Sequence, residues 1–191
     1  MTQAIERCPW LDTSKADYVE YHDNEWGEPV HDDKTMFEFL VLESAQAGLS
    51  WYTILKKREG YRQLFANFDV DKVAKFTEED VNRLMQDPSI VRNRLKIEAA
   101  INNAERFIEI QQEFGSFCTF IWSYVNNQTI NNSPTTLEDY VATSSVSDKL
   151  AKDLKKRGFK FLGSTTLYSH LQATGLINDH SANCFKNTNI R

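Results

Sequence analysis

The chain has 191 residues, of which 41% are hydrophobic and 26% charged, with a formal net charge of −5. These proportions suit a soluble globular protein with one well-cored domain and exclude collagen-like, low-complexity and strongly disordered chains. No run approaches the roughly 18 consecutive apolar residues that a membrane span needs. The opening residues lack the basic-then-apolar layout of a secretion signal, so a cytoplasmic protein is expected. Cys8, Cys118 and Cys184 are too few and too scattered for a disulfide scaffold, which points to free thiols or metal ligands.

Taken in chain order, apolar residues recur at helical spacing and few segments alternate as strands do, so the chain reads as all-α. Asp32 or Asp33 caps a helix carrying Met36, Phe37, Phe39, Leu40, Val41 and Leu42, and Gly48 ends it. A short helix is expected from Asp69 through Phe76. Thr77 with Asp80 resembles a capping box opening the next, which carries Val81, Leu84 and Met85 and closes at Asp87-Pro88. A longer helix is expected from about Ile90 to Phe114, with Leu95, Ile101, Ala104 and Ile108 on its buried stripe. Ser116 caps another, carrying Phe117, Phe120, Ile121 and Tyr124. Residues 126–145 are rich in Asn, Ser and Thr and contain Pro134; they read as a long surface loop and the best boundary if the single domain (1–191) divides into two lobes. Helices are expected to resume at about Ser147 to Arg157 and from Ser164 to Thr174, with a break at Gly158–Gly163 and a stop at Gly175.

Cys8 and His22 lie near one end of the chain, His180 and Cys184 near the other. The second pair is spaced i, i+4, which points both side chains the same way on a helical turn. Two thiolates and two imidazoles suit a closed tetrahedral zinc site, structural because no position stays open, and its binding free energy becomes folding free energy. On spacing alone the other reading stays open: unrelated buried thiols and surface imidazoles.

Glu43 follows Phe39 and Leu40 by about one helical turn. A carboxylate on such a face sits at a surface seam or is buried with a partner, and burial raises its pKa unless a ligand compensates. Glu38 interrupts the same apolar helix and serves as a control that is free to face solvent. Nearby stand Trp10, Tyr18, Tyr21, Trp26, Trp51 and Tyr52. Aromatics usually build cores, but beside a lone carboxylate they can also hold a flat cationic ligand. The segment from Gln46 to Ser50 leaves the helix through Gly48, either as a turn or as a small apolar wedge for a base stack.

Residues 155–164 join two expected helices. Gly158 and Gly163 permit a tight turn, and N–H groups there and at the next helix start can grip one phosphate, with Lys160 and its neighbours adding charge. Phe159, Phe161 and Leu162 would anchor this hairpin in the core. An ordinary link with a solvated basic face is the alternative. Lys56-Lys57-Arg58 and Arg92, Arg94 and Lys96 are further basic clusters able to complete a DNA-facing surface.

Five segments then occur in a telling order: Glu-Arg-Cys-Pro-Trp (6–10), Tyr-His-Asp-Asn-Glu-Trp-Gly (21–27), Leu-Glu-Ser-Ala-Gln-Ala-Gly-Leu-Ser-Trp (42–51), Leu-Lys-Lys-Arg-Gly-Phe-Lys-Phe-Leu-Gly (154–163), and Asn-Asp-His followed by Cys184. Together, along nearly the whole chain, they resemble the DNA-3-methyladenine glycosylase I family. The resemblance implies a helix–hairpin–helix DNA glycosylase fold with Gly158–Gly163 as the hairpin. It also implies one structural zinc ion on Cys8, His22, His180 and Cys184, joining the N- and C-terminal segments. Glu43 becomes the pocket carboxylate, shared between recognition and catalysis, lined by Trp10, Tyr18, Tyr21 and Trp51, with Ser169 added. Gln46, Gly48 and Leu49 match the loop that fills the gap left by an extruded nucleotide; Gly158, Lys160, Gly163 and Ser164 are the expected DNA contacts of the hairpin.

The implied activity is excision of 3-methyladenine from double-stranded alkylated DNA, releasing the free base and leaving an abasic site. A monomer without membrane attachment is expected. No lysine stands in the hairpin region as a candidate Schiff-base nucleophile, so the activity is expected to be monofunctional. Glycosylases of this fold usually carry an aspartate downstream of the hairpin to stabilise the sugar cation; Asp179 lies there but adjoins an expected zinc ligand and is not assigned that role. Residues 126–145 and the tail after Cys184 show no clear match. Two rivals remain: a zinc-stapled module that senses damage without chemistry, and a zinc hydrolase with an open metal position.

Overall fold

A computed structural model describes residues 5–187. Its helices, in chain order, are α1 (Ala16–Asn24), α2 (Asp33–Gln46), α3 (Trp51–Leu55), α4 (Arg58–Leu64), α5 (Val70–Val73), α6 (Glu78–Gln86), α7 (Arg94–Phe114), α8 (Phe117–Trp122), α9 (Ser145–Lys156) and α10 (Ser164–Ala173). Two short strands, β1 (Ile130–Asn131) and β2 (Ile177–Asn178), pair in parallel with Ile130 opposite Ile177. The protein is therefore mainly helical, as expected, with one small bridge. That bridge pins the 126–145 segment to the chain's C-terminal part.

The centre of the fold is α2. Asp32 caps it by accepting from the Thr35 N–H at 2.8 Å. Asp33, the other candidate cap, reaches across the molecule instead and accepts from the Phe117 and Cys118 N–H groups at 2.9 and 2.8 Å, capping α8. Every residue of α2 from Met36 to Ala45 is buried, and a helix buried all round is an interior rod. Helices α3, α7, α8 and α10 pack against it. Each large apolar side chain buried there contributes roughly 1.5–3 kcal/mol. Phe37 meets Phe107 edge to face at 5.3 Å, and Phe107 stacks on Phe117 at 4.2 Å, so aromatics join α2, α7 and α8.

The capping box of Thr77 and Asp80 opens α6, and Ser116 opens α8 by accepting from the Thr119 N–H, both as expected. Other expectations shift. Helix α5 stops at Val73, before Phe76, because the extended backbone of Thr77 starts the next helix. Helix α7 starts at Arg94, not near Ile90, because Asn93 caps it through the Lys96 N–H. Its buried face runs through Ile97, Ala100, Ala104, Phe107 and Ile110, while Leu95 is 63% exposed. The expected stripe was thus rotated part of a turn, sharing the buried Ala104 and the partly buried Ile101 with the real one. Helices α1, α3 and α4 form where no element was expected. No helix of the described residues is long and apolar enough to cross a membrane.

A second, smaller apolar cluster stands apart from the main core. It gathers Cys8, Tyr21, Trp26, Phe39, Ala173 and Cys184, with Trp10, Tyr18 and Trp51 packed against it. Segments from the N- and C-terminal parts of the described residues meet there.

Candidate active site and metal centre

Cys8, His22, His180 and Cys184 converge, as the sequence suggested. Their ligand atoms lie within 4.8 Å of one another and all four residues are buried. The sulfurs of Cys8 and Cys184 each stand 3.4 Å from His180 Nδ1, and Cys184 Sγ stands 3.7 Å from His22 Nε2. Tetrahedral coordination with bonds of about 2.0–2.3 Å gives ligand–ligand edges of about 3.6 Å, so the four donors fit one metal ion.

The surrounding contacts select the ring nitrogens. His22 Nδ1 faces Asp23 Oδ1 at 2.8 Å, leaving Nε2 for the centre, while His180 Nε2 faces the Trp26 carbonyl at 3.0 Å, leaving Nδ1. Asp23 is itself held by Arg7 at 2.7 Å. Hydrogen bonding from Cys184, and then from His180 and His22, draws the Cys8 thiol well below its ordinary pKa. Gly27 completes the wall: its φ is +82°, and a Cβ there would sit 2.9 Å from His180 Nε2.

From this centre a chain of rings leads outward. Trp26 packs on His180 at 4.7 Å and on Trp10 at 4.8 Å, and Trp10 meets Tyr18 at 5.6 Å. Tyr18 stacks with Tyr21 at 6.4 Å, and Tyr21 meets Trp51 at 5.5 Å. These rings wall a cavity of about 350 Å³, within the usual size range of ligand pockets. All the expected base-binding residues, Trp10, Tyr18, Tyr21, Glu43, Trp51 and Ser169, line it.

Glu43, only 3% exposed, makes no hydrogen bond or ion pair among the described residues. Desolvation pushes its carboxyl up to about 8. Desolvation, with Glu43 next, also raises the phenol of Tyr21 well above its ordinary value. Glu38 behaves differently from the expected solvent-facing control. It is buried, and its Oε1 accepts from Arg58 Nε at 2.6 Å and from Arg62 Nε at 3.1 Å.

Six further residues line the pocket that were not assigned to it: Trp26, Leu137, Tyr140, Val141, Gln172 and Gln46, which was expected only in the DNA-contacting loop. Trp26 was visible as one of the nearby aromatics. Gln172 follows Ser169 by three positions on α10, a spacing that could have revealed it. Leu137, Tyr140 and Val141 come from the polar 126–145 segment, which has no periodic signal. Tyr52 stays outside the cavity, donating to Asp17 at 3.0 Å.

The turn after α2 is preformed. The Leu49 N–H donates to the Gln46 carbonyl at 2.7 Å, Gln46 Nε2 donates to the Leu49 carbonyl at 3.1 Å, and the Leu49 side chain is 39% exposed. Lys96 Nζ supports this turn by donating to the Ala45 and Ala47 carbonyls at 2.7 and 2.6 Å. Lys96 is therefore spent on a helix end. Arg58 is held by Glu25 and Glu38, Arg94 by Glu78 and Asn82, and Lys57 donates to the Pro88 carbonyl at 2.6 Å, so with Lys96 four members of the two basic clusters are engaged within the protein.

Helices α9 and α10 pack together and are joined by a hairpin that Asn103 of α7 clasps. Asn103 Oδ1 accepts from the Lys160 N–H at 2.8 Å, and its Nδ2 donates to the Lys160 carbonyl at 2.9 Å. Only the side chain of Lys160 is left for an outside partner. The Ser164 hydroxyl likewise turns inward, donating to Asp148 at 2.6 Å. Gly158 has φ of +88°, but the second left-handed residue is Phe161, not Gly163. That conformation turns Phe161 outward to 44% exposure, whereas Phe159 and Leu162 anchor the hairpin as expected. A Cβ at Gly163 would meet nothing within 4 Å, so its backbone stands open to solvent.

These features define a class: a mainly helical protein, clipped at a Cys/His centre, with an aromatic pocket for a flat ring over a buried carboxyl. The methyladenine glycosylase family model matches residues 10–187, and the chain belongs to that family. It is 51% identical over 180 residues to DNA-3-methyladenine glycosylase 1 of Escherichia coli (strain K12), covering 94% of this chain and 96% of that protein. A crystal structure of 3-methyladenine DNA glycosylase I superposes with a TM-score of 0.92 at 47% identity, covering 95% of this chain and all of that one. A variant of 3-methyladenine DNA glycosylase I in complex with 3-methyladenine gives 0.89 at 43% identity, covering 92% and 94%.

Proposed function

We propose that the protein is a monofunctional DNA-3-methyladenine glycosylase that acts as a monomer on double-stranded alkylated DNA. The observation that carries this is Glu43, buried without a hydrogen-bond partner among the described residues in a pocket that Tyr21 and Trp51 also line. Methylation at N3 leaves adenine cationic and weakens its bond to the sugar. The extruded cation meets ring faces and a carboxyl that ionises in its presence, whereas neutral adenine gains little from either.

Extrusion costs roughly a few kcal/mol of unstacking, and Leu49 on its preformed turn would fill the gap. Gly163 and the first turn of α10 would hold a neighbouring phosphate, with the Lys160 and Lys155 ammonium groups adding charge, whereas the Gly158 N–H is spent on the Lys155 carbonyl at 3.1 Å. When the N-glycosidic bond breaks, its electron pair leaves with the base, which departs neutral. Water adds to the sugar carbon and gives up a proton, leaving an abasic site. With its counter-charge gone, Glu43 regains a proton, which favours release of the base.

Incubating the pure protein with methylated DNA tests this reading: free 3-methyladenine is expected, and intact DNA with no released base would overturn it. The same assay separates the enzyme from a damage-sensing module.

The metal at Cys8, His22, His180 and Cys184 is proposed to be one structural zinc ion. Four protein donors leave no open position, which speaks against a zinc hydrolase. The ion would supply folding free energy and brace the aromatic wall through Trp26 and Trp10. Cys184→Ser should lower bound zinc and melting temperature together; a fully stable, zinc-free wild-type protein would remove the clip.

A further inference from the structure

Asp179 adjoins the ligand His180, yet its carboxylate points away from the metal centre into a set of donors. Buried at 3% exposure, it accepts from the Tyr168 hydroxyl at 2.7 Å, from Asn132 Nδ2 at 2.7 Å and from Gln172 Nε2 at 2.6 Å. A carboxylate only accepts, so the amide of Gln172 must turn its nitrogen toward Asp179. Its Oε1 is left without a partner among the described residues, on a side chain that lines the base pocket opposite α2.

In the proposed reaction Glu43 answers the positive charge that both methylated purines carry, and a second polar group of the pocket bears on what distinguishes them. The Gln172 oxygen, held by the bond from its own amide nitrogen to Asp179, can only accept. Adenine carries an exocyclic amino donor at the position where guanine carries a carbonyl acceptor. Two acceptors facing each other in a desolvated pocket leave both unsatisfied, which costs more than a hydrogen bond gains.

We propose that Gln172, oriented by Asp179, is a specificity-determining residue whose Oε1 accepts from the amino group of 3-methyladenine and rejects the oxygen of 3-methylguanine. This rests on the glycosylase reading and extends it to the choice between methylated purines.

The test is kcat/KM for release of 3-methyladenine and of 3-methylguanine from duplex DNA, with the metal-loaded full chain. Gln172→Met, similar in length but without the amide, should slow 3-methyladenine release roughly tenfold and leave 3-methylguanine release unchanged or faster. Asp179→Asn, which lets the amide turn over, should narrow the preference in the same direction. Quenching of tryptophan fluorescence by each free base should show the same narrowing without catalysis. Equal losses for both bases, or an unchanged preference in Gln172→Met, would overturn the assignment while leaving the glycosylase reading intact. A wild-type protein that releases neither base defeats both.

Discussion

Glu38 and Glu43 lie on one helix and are both buried, at 6% and 3% exposure, yet they stand in opposite surroundings. Glu38 faces α4, where Arg58 and Arg62 donate to it; Arg58 also pairs with Glu25 at 2.5 Å and lies over the Phe39 ring at 5.2 Å. Glu43 faces the aromatic pocket and has no such partner. A buried charge with its partners in place is architecture, because the protein itself supplies the compensation. One left without them is unfavourable until something else arrives. Among carboxylates on a single helix, the missing partner marks the site more clearly than burial does.

The largest effect should come from the paired side. Glu38→Gln leaves the buried Arg58 with the half-exposed Glu25 as its remaining counter-ion and is expected to destabilise the fold by about 2–3 kcal/mol, read by denaturant unfolding. The surviving folded protein should still excise base at close to the normal rate. A mild stability loss with loss of excision would place Glu38 in the pocket's machinery and end the contrast.

Glu43→Gln should behave in the reverse sense. Its folded pKa is raised to about 8 from an unfolded value of 4.5, so the folded state holds a proton that the unfolded state has lost across that window. Stability should therefore fall in wild type as pH rises from about 4.5 to 8, by roughly a few kcal/mol from this group. Subtracting the melting profile of Glu43→Gln from that of wild type should isolate this slope. Excision should drop roughly 10- to 100-fold, the worth of one charge-assisted contact. A difference profile flat from pH 4.5 to 8 would mean that Glu43 finds a counter-charge.

Much of this was legible because local chemistry declares itself locally. Asp32, Thr77 and Ser116 cap the helices they precede, whereas the Cys/His set stayed open on spacing alone and was singled out by the family resemblance. What was hidden depends on partners far along the chain. Nothing near Glu38 says that Arg58 will reach it, so it looked like a free surface carboxylate. Arg58, Arg94 and Lys96 looked like a DNA-facing surface for the same reason, although each is spent on a carboxylate or a helix end. The phase of α7 was misjudged because Leu95 is apolar yet faces out, while the small Ala100 and the polar Asn103 face in. Tyr140 reaches the pocket from a polar segment held in place by distant partners, among them the β1–β2 pairing, the Asp179–Asn132 contact and the bond from the Ala182 N–H to the Pro134 carbonyl.

His170 gives the smallest effect and the sharpest control. It is fully buried on α10, and neither ring nitrogen finds a hydrogen-bond partner among the described residues. Unlike Glu43 it does not line the cavity, so no ligand can supply what it lacks. If an absent partner marks function only where a pocket can bring one, His170 is a plain cost. His170→Phe, close in shape and without polar atoms, should then raise stability by about 1–3 kcal/mol at neutral pH and leave excision unchanged. Desolvation lowers the His170 pKa to about 3, against an unfolded value of 6.5. The unfolded chain therefore takes up a proton first, and wild-type stability should be lost as pH falls through 6.5 towards 3. The advantage of His170→Phe should widen over that same interval. A variant that is less stable at pH 5 than wild type would mean that the imidazole is partnered after all, and that unmet burial at Glu43 carries less information than its contrast with Glu38 suggests.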